Sequence, residues 1–260
     1  MRYVRFRDTD GDIRTGEWTG DDGAEIAPHP GTGRAAGSRL DLDPEPLAAG
    51  DVDILPPSDP TKVVCVGLNY ADHAAEQGKD VPDRPLLFLK TPNTVVGHGE
   101  AVDLPANKER IDHEAELGVV IGERASGVDV DEAMTHVAGF TCVNDLSNRD
   151  DQAVEQNWIR GKAFDDACPL GPVIATPDEV PADASVECRV NGETKQASSR
   201  EEFIFSVPEL VAEITTYLTL EPGDVISTGT PAGVGPLADG DTVEIEVKGV
   251  GTLRNEVHIP

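Results

Sequence analysis

The apolar positions of this chain recur with a period of two or in short unbroken runs, the spacing of strands rather than of long helices. Residues 3–6 and 13–18 alternate on either side of the turn Asp10-Gly11-Asp12, which predicts a β-hairpin, and another short strand is expected near 24–27. From 28 to 60 the sequence is rich in Pro, Gly, Asp and Ser, with one Leu-Asp-Leu-Asp alternation and the tripeptide Leu55-Pro56-Pro57. That stretch reads as a linker or irregular cap. The expected organisation is therefore a small N-terminal β unit with its linker over 1–60, followed by a main domain over 61–260. Strand-like runs in the main domain fall at 63–66, 86–89, 117–121, 137–143, 186–190, 225–227, 243–247 and 253–259, and Asn191-Gly192 is its best hairpin turn. The clearest helix covers 208–218, where Ser206 and Glu209 stand at capping-box spacing and Leu210, Ile214, Tyr217 and Leu218 form an apolar stripe. The expected class is α+β, mostly β.

Composition narrows this picture. With 260 residues and 38% apolar positions, the chain can bury one large core or a main domain with a satellite. Its 49 acidic and 21 basic residues give a formal charge of −28, which disfavours nucleic acid and anionic membrane surfaces as partners. The acid excess is spread along the chain, as in proteins that stay hydrated in molar salt, so a halophilic cytoplasm is expected; the competing reading is an acidic mesophilic enzyme. Cys65, Cys142, Cys168 and Cys188 are scattered without C-x-x-C spacing and read as buried free thiols in a reducing compartment. The first residues lack an apolar signal region and no stretch has the length of a membrane span, so a soluble cytoplasmic protein is expected.

The candidate chemistry begins at Glu114 and Glu116. On a strand, positions i and i+2 share a face, so both carboxylates point one way beside a strongly apolar run, and His113 leaves on the other. Two such carboxylates repel unless a cation joins them. With Asp145, at the carboxyl end of the 137–143 strand, they outline a hard-metal site suited to Mg²⁺ or Mn²⁺; the competing reading is a solvated strand face in an acid-rich chain. His73 and Glu76 stand three apart after the 63–66 strand, and on a helical turn they share a face as an acid–base pair, or as an ordinary surface pair. Arg149, Gln152 and Lys162 are candidates to hold a substrate carboxylate or a developing oxyanion, though each alone fits an ion-pair role as well. The run from Gly229 through Thr230 to Gly235 has the makings of an anion nest or of a plain glycine-rich turn, and it lacks the P-loop lysine pattern of a nucleotide site.

Five segments occur together and in order: Gly67-Leu68-Asn69-Tyr70-Ala71-Asp72-His73-Ala74-Ala75-Glu76, Asp112-His113-Glu114-Ala115-Glu116-Leu117, Asn144-Asp145-Leu146-Ser147-Asn148-Arg149-Asp150, Gly161-Lys162-Ala163-Phe164-Asp165 and Gly229-Thr230-Pro231-Ala232-Gly233-Val234-Gly235. Their order and spacing resemble the fumarylacetoacetate hydrolase family over residues 61–257, while the first 60 residues match only loosely. The resemblance implies a mixed β-sandwich roll, usually a homodimer, with Mg²⁺ or Mn²⁺ held at Glu114, Glu116 and Asp145. It also implies a His73–Glu76 dyad on a lid-like segment and a substrate pocket lined at Arg149, Gln152, Lys162 and Thr230. His113 stands where tyrosine is common in the family, and Ala163 where serine is common. Family reactions include hydrolysis of acylpyruvates and related diketones, decarboxylation of oxaloacetate-type acids, and isomerisation or tautomerisation of 2-hydroxydienoates. Most share metal chelation of a 2-keto acid and stabilisation of its enolate. The expectation is a metal-dependent C–C hydrolase or decarboxylase acting on a small 2,4-diketo or 2-keto dicarboxylic acid, with an isomerase or tautomerase as the alternative.

Overall fold

The computed structural model describes residues 1–19, 25–29, 45–78 and 80–260. The expected Leu-Asp-Leu-Asp alternation and the start of the third strand lie outside them. Among the described residues, strands form three sheets of twelve, five and three strands. The largest runs from the N-terminal hairpin, Arg2–Arg7 with Ile13–Thr19, through Cys168–Ala175, Val137–Asn144, Ala115–Ile121 and Val225–Ser227 to Val63–Val66 and Leu87–Lys90. Arg2 pairs opposite Ala175, which makes the first strands part of the same sheet as those that follow. The five-stranded sheet, built on Ser185–Val190, Glu193–Ser199, Thr242–Val247 and Gly251–His258, contributes Val186, Ile245 and Leu253 to the core shared with the large sheet.

The central strand Ala115–Ile121 is buried at every position, as expected of a strand covered on both faces. It pairs antiparallel with Val137–Asn144, Glu116 opposite Val143, and with Val225–Ser227, Gly118 opposite Ser227. The strands at 63–66 and 225–227 have the expected boundaries and pair in parallel. The helix near 208–218 forms as Val207–Thr215, with the Glu209 carboxylate accepting from Ser206 N at 2.7 Å. Tyr217 departs from the expected apolar stripe: the helix has ended before it, and the ring lies 62% exposed with its hydroxyl accepting from Arg84. The four cysteines are buried free thiols, and burial pushes Cys142, Cys168 and Cys188 up to about 12. Among the described residues, no helix is long and apolar enough to cross a membrane.

Candidate active site

Strand pairing assembles the three acids. Asp145 N donates to Glu114 O at 2.9 Å, setting the two residues across from each other just beyond the paired strands. Glu116 follows two positions along the same chain, so its side chain returns to the face of Glu114. Oxygen atoms of Glu114, Glu116 and Asp145 lie within 4.8 Å of one another, and all three residues are buried. His113 faces away, as the alternation requires: its Nδ1–H donates to Gln196 Oε1 at 3.0 Å.

Cations and donors surround this cluster unevenly. Lys162 Nζ donates to Glu114 Oε2 at 2.9 Å and to Asp145 Oδ2 at 2.7 Å, while Arg149 Nη2 reaches Glu114 Oε1. Burial alone would raise the Glu114 carboxyl, but Lys162 and Arg149 overcome it and hold the group down at about 2. Burial, then the charges of Asp145 and Glu114, push Glu116 well above the usual carboxylate range, against donation from Ser227 Oγ and Gly229 N. Burial opposes the Lys162 charge, yet Asp145 and Glu114 prevail and raise it above an ordinary lysine. Three buried carboxylates, one of them ill at ease as an anion, form a donor set that fits a hard divalent cation.

Lys162 arrives on the short helix Ile159–Lys162, which lies against Arg149–Gln152. Gly161 permits the approach, since a Cβ there would stand 2.9 Å from Gln152 Cα. Lys90, at the end of its strand, is fully buried; its ammonium donates to the carbonyls of Leu146, Lys162 and Ala167 and sits 2.7 Å from Asp145 Oδ1. The composition and motifs gave Lys90 no role, although it is one of only seven lysines in the chain.

His73 and Glu76 do share a helical turn, Ala71–Glu76. Glu76 Oε2 stands 3.0 Å from His73 Nδ1, and the Gln77 amide nitrogen 2.6 Å from Nε2. An amide N–H only donates, so Nε2 accepts, and the imidazole proton belongs on Nδ1 toward Glu76. Asn69 fixes the base of the segment through Phe205 N, Phe205 O and Thr228 O. The glycine-rich loop is indeed a nest, but for the protein's own anions: Gly229 N donates to Glu116 and Gly233 N to Glu76. Gly229 has φ +96, and a Cβ there would meet Asn69 Cβ at 2.8 Å.

A cavity of about 670 Å³ brings together His73, Glu114, Arg149, Gln152 and Lys162, with Leu86, Phe88 and Trp158 as apolar wall. Gln152 Oε1 accepts from Arg149 Nη1 at 2.8 Å. Thr230 is placed differently. Its hydroxyl donates to Ala115 O at 3.0 Å and accepts from Gln196 Nε2 at 2.8 Å, tying the loop to the central strand, and it is absent from the cavity wall. Two wall residues that sequence reasoning left aside are Asp112 and Arg110. Asp112 accepts from Arg149 Nε at 2.8 Å and from Arg110 Nε at 2.7 Å.

Fold and site define a β-rich protein with a buried acid triad, clamped by lysine and arginine, that reaches a cavity through Glu114, with the histidine of a histidine–glutamate pair on the same wall. The model for the fumarylacetoacetate (FAA) hydrolase C-terminal domain matches residues 62–258, and the chain belongs to that family. The chain is 43% identical to a mitochondrial oxaloacetate tautomerase of Bos taurus, an alignment covering 81% of this chain and 71% of that one. It is similar to the 5-carboxymethyl-2-hydroxymuconate delta-isomerase of Mycobacterium smegmatis, with 37% identity, TM-score 0.87 and coverage of 100% and 99%. It is also similar to the fumarylpyruvate hydrolase of Pseudomonas aeruginosa, solved with Mn²⁺ and pyruvate, with 32% identity, TM-score 0.73 and coverage of 80% and 92%. Hydrolase, isomerase and tautomerase thus occur among its relatives.

Proposed function

We propose that the protein is a divalent-metal-dependent enzyme that cleaves a C–C bond in a small 2,4-diketo or 2-keto dicarboxylic acid. The observation that carries this reading is the meeting, on one cavity wall, of Glu114 from the buried Glu114–Glu116–Asp145 cluster with His73, whose Nδ1 is oriented by Glu76. Mg²⁺ or Mn²⁺ at the triad would supply Lewis-acid polarisation of the 2-keto acid. Arg149 and Gln152 position the substrate carboxylate, and Lys162 brings an ammonium to the negative charge that develops on the reacting oxygen. His73 takes a proton from water at Nε2, with Glu76 stabilising the imidazolium that results. Gln77 leaves Nε2 for this step. Thr230 acts through the strand it holds. The homodimer, the cytoplasmic setting and the adaptation to salt belong to the same proposal.

The second reading, isomerisation or tautomerisation, is favoured by the full-length likeness to the Mycobacterium smegmatis isomerase. Both readings use a proton relay at C3 of a keto acid. They part at water activation. Acetylpyruvate, fumarylpyruvate and oxaloacetate, each incubated with the protein and Mg²⁺ or Mn²⁺, separate them: pyruvate release supports cleavage, and a product of unchanged mass supports the second reading. No conversion of any of the three, with either metal, overturns both.

A further inference from the structure

The cations of the site differ in how much of their hydrogen-bonding capacity remains. Lys90 is fully buried among three carbonyls and Asp145, and Lys162 is bonded to Glu114 and Asp145. Arg149 makes one bond from each nitrogen, Nε to Asp112, Nη1 to Gln152 and Nη2 to Glu114, which leaves one further N–H on each terminal nitrogen. Arg110 keeps a whole terminal nitrogen open. Its Nε and Nη2 donate to Asp112 at 2.7 and 3.0 Å, Nη1 has no partner among the described residues, and its side chain is 52% exposed on the wall of the same cavity. Among the described residues, Asp112 is the one carboxylate within ion-pair distance of Arg110, and Asp112 is shared with Arg149.

Leu86, Phe88 and Trp158 line the cavity as well, apolar surface suited to a short hydrocarbon segment between two charged ends.

We propose that Arg110 is a specificity-determining residue that binds the distal carboxylate of the substrate, selecting 2-keto acids with a carboxylate at each end over those with an alkyl end. This rests on the keto-acid reading above. Arg149, held by Asp112 and Glu114, serves the end near the triad, and Asp112 fixes the two guanidinium groups side by side.

Fumarylpyruvate and acetylpyruvate share the 2,4-diketo head and differ in whether the tail ends in a carboxylate, so their kcat/KM ratio isolates the contact. Arg110→Met should lower that ratio roughly tenfold or more, chiefly through KM for fumarylpyruvate, and Arg110→Lys should retain part of the selectivity. Calorimetry with Mn²⁺ gives a readout without turnover: Arg110→Met should weaken 2-oxoadipate by a similar factor and leave oxalate, which has no tail, within about twofold. An unchanged ratio together with unchanged 2-oxoadipate binding, in a variant that melts like the wild type, overturns the proposal. Equal losses for both substrates and both ligands also overturn it, since they mark a general disturbance of the Asp112–Arg149 pair. If the wild type converts neither keto acid yet binds 2-oxoadipate through Arg110, the reaction assignment fails and the recognition stands.

Discussion

Replacing Glu116 with Gln separates the two consequences of packing three carboxylates together. Their oxygens lie within 4.8 Å, and at that distance two full charges in an effective dielectric of about 20 repel by about 3 kcal/mol. Glu116 faces two such neighbours, and its carboxyl is displaced upward by burial first and then by Asp145 and Glu114. A group whose folded pKa lies above its unfolded value contributes stability that is complete below the unfolded pKa and is lost as pH rises through the folded one. Metal-free wild type should therefore lose stability as pH climbs above the ordinary carboxylate range, and Glu116→Gln, with nothing to ionise there, should lose less. Metal affinity moves oppositely: the charge that repels Asp145 and Glu114 attracts a divalent ion, and its removal should weaken Mg²⁺ and Mn²⁺ binding at least tenfold, about 1.4 kcal/mol. Melting curves in EDTA across pH, with calorimetric metal titrations above pH 7, measure both. A variant that keeps full metal affinity would refute the triad as a metal site. One whose EDTA melting curves show the wild-type pH slope would refute the assignment of that slope to Glu116.

His73→Ala should slow cleavage roughly 10²- to 10⁴-fold while metal titrations stay unchanged; retained cleavage would remove the imidazole from the reaction. Asp224→Asn should cost about 2 kcal/mol or more in denaturant melts, because the carboxylate ties Thr61, Lys62 and Glu221 to the start of the 225–227 strand. Burial would raise Asp224, but Lys62 and the surrounding donors hold it below its usual value, so its contribution is present at neutral pH and lost as pH falls through the folded pKa. With a formal −28, the melting temperature should climb from dilute buffer to molar KCl as the Debye length shrinks from about 30 Å at 0.01 M to about 3 Å; a flat response would refute the salt-adapted reading.

The acids of the candidate site could be read from the chain because each belongs to a local pattern. Glu114 and Glu116 alternate beside an apolar strand, Asp145 ends another, and His73 and Glu76 sit one helical turn apart. Strand boundaries were sharpest where apolar runs were uninterrupted, as at 63–66 and 225–227. The strand Cys168–Ala175 went unrecognised because Pro169, Gly171 and Pro172 break its pattern, and prolines ordinarily demote a strand. Gln196 escaped notice in the polar run Glu193–Ser199, although it is 1% exposed and its amide joins His113, Ala115, Thr230 and Pro231. Polar satisfaction of that kind depends on which backbone arrives across the fold, and no period in one segment reports it.

The same reasoning explains why the cations were harder to place than the acids. Lys90 reads locally as the polar end of an apolar strand, yet its ammonium meets carbonyls 56, 72 and 77 positions away. Only the folded chain reveals that a protein with more than twice as many acids as bases brings Lys90, Lys162, Arg149 and Arg110 onto its clustered carboxylates. Salt therefore acts on two populations of charge. Exposed carboxylates repel through solvent and are screened within a Debye length, whereas Glu114, Asp145, Lys90 and Lys162 are buried and screened far less. An acid-rich surface whose repulsion varies with ionic strength can thus enclose a site whose internal electrostatics hardly register it.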